Sequence, residues 1–271
     1  MSTWDESIQR IMNAQGRPNL RTGLRWPWIS RLPVVVTGSS GCGKTELWRR
    51  LTLKHAADDI SQTPDQGYYF RRKKRSTFAL TTIPGQLSDV QSLLNDSFFM
   101  NRRTKVNGLI FVAAYGYNFI WPEQVESVAS ILHPYSLDSL RTRNIREELA
   151  TFDQTCEFIK AKWAHSPKAN RPKWLLVLCN KVDLYSADAD AAYGYYEPSA
   201  RSPFGRTAGD LVAKLAGGGF RYHVLPTAMQ PREFLFESTR GNMHMKSTLS
   251  QDQCDASINL LVDTLEEISG A

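Results

Sequence analysis

The run Gly38-Ser39-Ser40-Gly41-Cys42-Gly43-Lys44-Thr45 places a lysine and a hydroxyl directly behind a glycine-spaced turn. Its pattern, G-x-x-x-x-G-K-T, lets backbone amides of the loop turn toward an oxyanion, because glycine admits backbone angles that other residues resist. In that arrangement Lys44 bridges the β and γ phosphates of a nucleoside triphosphate and Thr45 offers its hydroxyl to magnesium. The β-branched run 33–37 precedes the loop and a helical pattern over 46–56 follows it. The phosphates would therefore meet a helix N-terminus, where free amides and the helix dipole favour negative charge.

A phosphate loop does not choose between bases. Asn180-Lys181-Val182-Asp183 follows the apolar run 174–178 and supplies the residue types that could choose. A carboxylate such as that of Asp183 accepts hydrogen bonds from guanine N1 and the exocyclic amine. Adenine offers neither donor, and a buried carboxylate without a partner costs on the order of 1–3 kcal/mol or more. Asn180 would brace neighbouring loops, and the stem of Lys181 would cover the base.

With these motifs in this order, the sequence resembles the Ras-like small GTPases over most of residues 33–268. The resemblance implies a P-loop GTPase fold binding GTP or GDP with magnesium. It implies that Thr227-Ala228 is the short element whose backbone amide contacts the guanine oxygen, and that Thr63, chosen over Thr77, is the switch threonine that holds magnesium and senses the γ phosphate. It further implies that Thr81-Thr82-Ile83-Pro84-Gly85-Gln86 stands in place of the D-x-x-G-Q switch element. Gly85 then offers an amide to the γ phosphate, and Gln86, which orients the attacking water, carries the catalysis together with Lys44. Thr82 occupies the place of the aspartate on the metal side; its hydroxyl can hold a magnesium-bound water but brings no charge. A similar T-x-P-G-Q element occurs in the bacterial Ras-like GTPases that set gliding polarity. Slow GTP hydrolysis, stimulated by an activating protein and read by an effector, is the expected behaviour; a GTP-sensing assembly subunit without useful turnover is the alternative.

The elements that must position these residues are legible from periodicity. The chain has 271 residues, 42% of them apolar and 22% charged, enough for one large core without the composition of a disordered chain. Strands are expected at 33–37, 67–72, 76–82, 109–114, 174–178 and 222–225, and helices at 7–13, 46–56, 86–100, 123–132, 146–164, 207–215 and 250–268. Near-continuous apolar runs at 109–114 and 174–178 read as parallel strands covered on both faces. The expectation is an α/β fold: a six-stranded, mostly parallel sheet flanked by helices, with one antiparallel edge strand from the hairpin 67–82. Residues 1–32 read as an N-terminal extension, and 33–271 as the nucleotide-binding domain with insertions near 117–144 and 185–204, which could carry partner contacts.

Composition limits the remaining classes. The net charge of +6 is mild. Part of it is concentrated in Arg71, Arg72, Lys73, Lys74 and Arg75, which could meet phosphates or an acidic partner or could be a solvated hairpin tip. No nucleic-acid fold signature accompanies these cations, so nucleic acid is not an expected partner. Cys42, Cys156, Cys179 and Cys254 lack metal-like or disulfide-framework spacing. No signal peptide, lipidation motif or apolar run of membrane-spanning length is evident, so the expectation is a cytoplasmic chain without a membrane anchor. Cys42, inside the loop, is either a small filler or a redox-sensitive thiol.

Overall fold

The computed structural model describes residues 4–13, 21–22, 30–52, 68–71, 76–83, 104–119, 122–132, 134–236 and 243–270. Helix α1 (Trp4–Met12) is followed by strands β1 (Arg21–Thr22) and β2 (Ser30–Thr37), and β2 runs through the phosphate-loop sequence into helix α2 (Lys44–Thr52). Strands β3 (Tyr68–Arg71) and β4 (Ser76–Thr82) come next, then β5 (Gly108–Ala113), helices α3 (Pro122–Ile131) and α4 (Leu137–His165), and β6 (Trp174–Cys179). Helices α5 (Ala189–Tyr196) and α6 (Pro203–Leu215) lead to β7 (Arg221–Pro226). The short strands β8 (Phe234–Phe236) and β9 (Met243–Met245) precede the last helix, α7 (Gln251–Ser269).

The main sheet has the order β1-β3-β4-β2-β5-β6-β7. Strands β4, β2, β5, β6 and β7 pair in parallel, whereas β3 is antiparallel to both β4 and β1. Two expectations are corrected here. Among the described residues the sheet has seven strands rather than six, and the antiparallel strand is not the edge, because Arg21–Thr22 pairs outside it. A two-residue strand has no periodicity to read; its existence depends on the free side of β3. Strands β8 and β9 form a separate antiparallel pair.

Strands β5 and β6 are buried at every position, as their unbroken apolar sequence requires of central parallel strands. Gly108 opens β5 because the Trp174 ring fills its side: a Cβ there would meet the ring at 2.1 Å. Phe111 of β5 meets Phe152 of α4 edge-on at 5.0 Å, and Phe152 stacks on Phe204 of α6 at 3.7 Å, tying sheet and helices into one core. Truncating any of these rings would cost about 3–5 kcal/mol.

Helix α4 starts nine residues before the expected position 146, since Ser136 and Ser139 form a reciprocal cap and no breaker interrupts the sequence after it. Ser250 and Gln253 cap α7 in the same way, and Gly270 closes it with φ 65°. Helix α1 lies against α7 and β7, with Trp4 stacked on Tyr193 of α5 at 5.0 Å. The expected helix over 86–100 lies outside the described residues. Among the described residues no helix is long and apolar enough to cross a membrane.

The register aligns the ends that matter. Val36 pairs with Thr82, Thr37 with Phe111, Ala113 with Cys179, and Cys179 with Pro226. The carboxyl ends of five parallel strands therefore open onto one edge of the sheet, where open α/β sheets place their ligands.

Candidate functional site

Residues 38–43 leave β2 in an irregular turn that closes on the first residues of α2. Two of its glycines are required by their surroundings. At Gly41, φ is 69° and a Cβ would lie 2.1 Å from the Phe119 carbonyl oxygen; at Gly43, φ is 108° and a Cβ would lie 2.3 Å from Asn180 Nδ2. Lys44, the first residue of α2, turns back into the loop and donates from Nζ to the carbonyls of Gly38 (2.7 Å) and Ser39 (2.8 Å). Its ammonium is buried, which lowers its pKa. A phosphate beside such a group would relieve its desolvation as well as pair its charge. Thr45 follows at the start of the helix, the end at which helix geometry and dipole favour an anion.

The turn after β6 is joined to this loop by side-chain bonds. Asn180 Nδ2 donates to the Cys42 carbonyl (2.8 Å). Lys181 adopts a left-handed backbone with φ 60° and donates from Nζ to the carbonyls of Gly41 (3.0 Å) and Tyr117 (2.5 Å). Burial pulls the Lys181 pKa down to about 8, against the attraction of Cys42 and Asp183. A third segment, the turn after β5, also holds the loop. Asn118 Nδ2 donates to Ser39 Oγ (2.6 Å) and to the Ser40 carbonyl (2.9 Å), and the Phe119 amide donates to the Gly41 carbonyl (3.0 Å). Tyr117 and Asn118 carry no motif and were not expected at the site; their position one turn beyond a buried strand was the available signal.

Asp183 lies in the 3-10 turn Val182–Leu184 and is buried. Burial pushes its carboxyl up, while the Ser247 hydroxyl and Lys181 act in the opposite direction. Its carbonyl accepts from the Thr248 amide (3.1 Å) and hydroxyl (2.7 Å). Thr227 and Ala228 are brought to the same turn: the Thr227 amide donates to the Cys179 carbonyl (2.9 Å) and the Val182 amide to the Thr227 carbonyl (3.2 Å). The Ala228 amide donates to Ser257 Oγ on α7 (3.1 Å), and that hydroxyl lies 2.8 Å from the carbonyls of Ala228 and Cys254, one of which takes its proton. Ser247, Thr248 and Ser257 are thus additional residues of this side. Nearby, Glu46 of α2 faces Arg232 (3.8 Å) and Arg49 (3.7 Å).

Thr82 ends β4 and is buried, one strand away from the phosphate loop. Thr45 and Thr82 are hard oxygen donors of the kind magnesium accepts, but neither carries charge, so nucleotide phosphates would have to supply most of the negative field. Thr63, Gly85, Gln86 and the cations 72–75 lie outside the described residues. Cys42 is fully buried and its thiol is pushed up by burial, which suits a loop filler and opposes a reactive thiolate.

No protein-family model and no curated protein matches the chain. Among solved structures, it is similar to the small GTPase Arl6 (BBS3) from Trypanosoma brucei with bound nucleotide analogue, at 14% identity and a TM-score of 0.37, covering 74% of this chain and 88% of that one. It is also similar to the G-domain of FeoB from Methanococcus jannaschii, at 11% identity and a TM-score of 0.43, covering 90% of this chain and all of that one. Both TM-scores are low.

Proposed function

We propose that the chain is a guanine-nucleotide-binding switch that holds GTP with magnesium, hydrolyses it slowly to GDP, and changes its protein partners with nucleotide state. The observation that carries this reading is Lys181: its side chain bonds to Gly41 of the phosphate loop while its backbone lies two residues from Asp183, so it ties the loop to the turn that carries that carboxylate. Lys44 and the helix start would meet the phosphates, Asp183 the guanine edge, joined by the Ala228 amide on its release from Ser257 Oγ, and Thr45 with Thr63 the magnesium; Gly85 and Gln86 would complete the γ-phosphate side. Magnesium would neutralise phosphate charge. The chain's own part is to orient the triphosphate and to hold the water through Gln86. Equilibrium binding of GTP, GDP and ATP to the purified chain tests the reading: guanine nucleotides should bind at least about 100-fold more tightly than ATP. Equal affinities would overturn guanine selectivity.

The neutral Thr82 favours a second reading, a GTP-sensing assembly subunit in which nucleotide orders an interface without useful turnover. Turnover in wild type and Gln86→Ala separates the two. A clear drop in the variant supports hydrolysis; equal, negligible rates with tight nucleotide retention support sensing. Activation by a partner arginine, which adds on the order of 10³–10⁵-fold in such reactions, would show as stimulation by that protein.

A further inference from the structure

Behind the phosphate loop lies a buried acid that the nucleotide-binding reading does not use. Glu148, in the middle of α4, has no solvent exposure. Its Oε2 accepts from the Ala114 amide at 2.8 Å, and its Oε1 accepts from the Tyr196 hydroxyl of α5. Tyr196 Oη in turn accepts from the Tyr115 amide at 3.0 Å. One carboxylate, directly and through a phenol, therefore holds two consecutive amides at the end of β5.

Those amides start the turn that braces the loop. Tyr115 is left-handed with φ 48°, and Gly116 follows with φ 83°. A non-glycine residue holds such a backbone only where its surroundings enforce it. Further holds come from α4, where Asn144 Nδ2 donates to the Gly116 carbonyl (2.9 Å) and the Arg141 guanidinium lies 4.5 Å from the Tyr117 ring centre. The next residues are the braces themselves: the Tyr117 carbonyl on Lys181, the Asn118 amide on Ser39 and Ser40, and the Phe119 amide on Gly41.

We propose that Glu148, acting with Tyr196, is a positioning residue for the phosphate loop: by holding the Ala114 and Tyr115 amides it sets the turn 114–119 against residues 39–41 and so sets nucleotide affinity. The inference rests on the nucleotide-binding reading. It also gives helix α5, within the stretch 185–204, a direct route to the phosphates through Tyr196.

The hydrogen-bond arithmetic makes this a proton-sensitive brace. As a carboxylate, Glu148 accepts both of its bonds and every donor is used. A proton on Oε1 turns that bond around, leaving the Tyr196 hydrogen to find another acceptor; a proton on Oε2 opposes the Ala114 amide. Burial pushes the Glu148 carboxyl up to about 7, against the Tyr196 bond, the Ala114 bond and Lys181. The groups facing it are Tyr195 and Tyr196 of α5, Cys179 at the end of β6, Lys181 and Tyr185 after it, and Cys42 of the loop. Burial raises the thiols and phenols, which keeps them neutral near pH 7, and Lys181 titrates higher, at about 8.

The test is binding of a fluorescent GDP analogue to the full chain from pH 5.5 to 7.5, for wild type, Glu148→Gln and Tyr196→Phe, with hydrogen exchange of the same nucleotide-free proteins. Wild-type affinity should fall about fivefold or more on acidification, a coupling of ordinary size. Glu148→Gln should bind weakly at every pH in that range, with faster exchange at 38–45 and 114–119; comparison at each pH cancels the titration of the nucleotide's own phosphates. Tyr196→Phe should show a smaller loss and keep the pH dependence. Wild-type affinity and exchange in Glu148→Gln would overturn the proposal. If Glu148→Gln fails to fold, unchanged affinity and exchange in Tyr196→Phe would do so. Failure of wild type to bind any guanine nucleotide would overturn the nucleotide reading instead, and the exchange comparison would still decide whether Glu148 braces the loop.

Discussion

On the phosphate side, Lys44 closes on the Gly38 and Ser39 carbonyls within a few residues of its own position; on the base side, Asp183 and Ala228 are held by Thr248 and Ser257, which lie 65 and 29 residues further along the chain. Both ends serve one candidate ligand, yet they are built by different means. A phosphate cradle needs backbone amides, small residues and one cation, all of which a short loop can carry. A base pocket needs a carboxylate and an amide held at fixed separation, and here hydroxyls from the segment after β9 and from α7 do the holding. The phosphate side draws its ligand groups from one short loop, although Asn118, Asn180 and Lys181 brace that loop from afar, whereas the base side assembles even its groups from separate segments.

Removing the phosphate-side cation should have the largest effect. Lys44→Ala should lower the affinity for GTP, GDP and ATP alike by at least about 100-fold, roughly 3 kcal/mol, since it deletes charge-assisted bonds to phosphates in a buried setting. Calorimetric titration would show it, and wild-type affinity would remove the phosphate loop from the site. Asp183→Ala should act on one base only: guanine nucleotides lose about 10- to 100-fold while ATP is unaffected. Parallel losses for both bases would mean that Asp183 supports the loop rather than reads guanine.

Ser257→Ala sharpens the contrast at smaller cost. It removes the hydroxyl that meets the Ala228 amide, so stability should drop by about 1 kcal/mol, a few degrees in Tm, with a GTP affinity change within about fivefold. A larger change would mean that Ser257 governs nucleotide binding itself rather than only the local hold on Ala228.

The two sides should also differ in the sign of their response to protons. His223, on the strand that leads to Thr227, is held down to about 4 by burial and then by Arg221. Its unfolded form takes up a proton first, so its contribution to stability is lost as pH falls from about 6.5 to about 4. Glu148, behind the phosphate side, is raised to about 7, so the folded form takes up its proton first and stability increases as pH falls from about 7 to about 4.5. The two slopes oppose each other in wild type. Urea unfolding between pH 4.5 and 7 should show Glu148→Gln losing stability on acidification and His223→Gln gaining it; identical pH profiles in both variants would refute the assignment.

Much of the frame was legible because it is written in short-range pattern. The apolar runs 109–114 and 174–178 read as buried strands and form β5 and β6, and the helix expected over 250–268 is α7. The early start of α4 rests on the local Ser136 and Ser139 cap, outside the periodic stretch 146–164, whereas the strand Arg21–Thr22 and the roles of Tyr117 and Asn118 cannot be read in any one segment. These last depend on partners distant in sequence: Asn118 reaches Ser39 across 79 positions, and neither neighbourhood alone contains a reason for the bond.

The phosphate-loop pattern, the candidate guanine reader, the α/β alternation and the neutral residue at position 82 are written in the sequence, because spacing, side-chain chemistry and local propensity act within a few residues. The assembled fold alone shows that Lys181 ties the glycine-rich loop to the turn carrying Asp183, that Thr248 and Ser257 hold Asp183 and Ala228, and that Glu148 lies buried behind the loop. Burial, and the pairing it demands of every polar group, is a property of the assembled chain rather than of any segment.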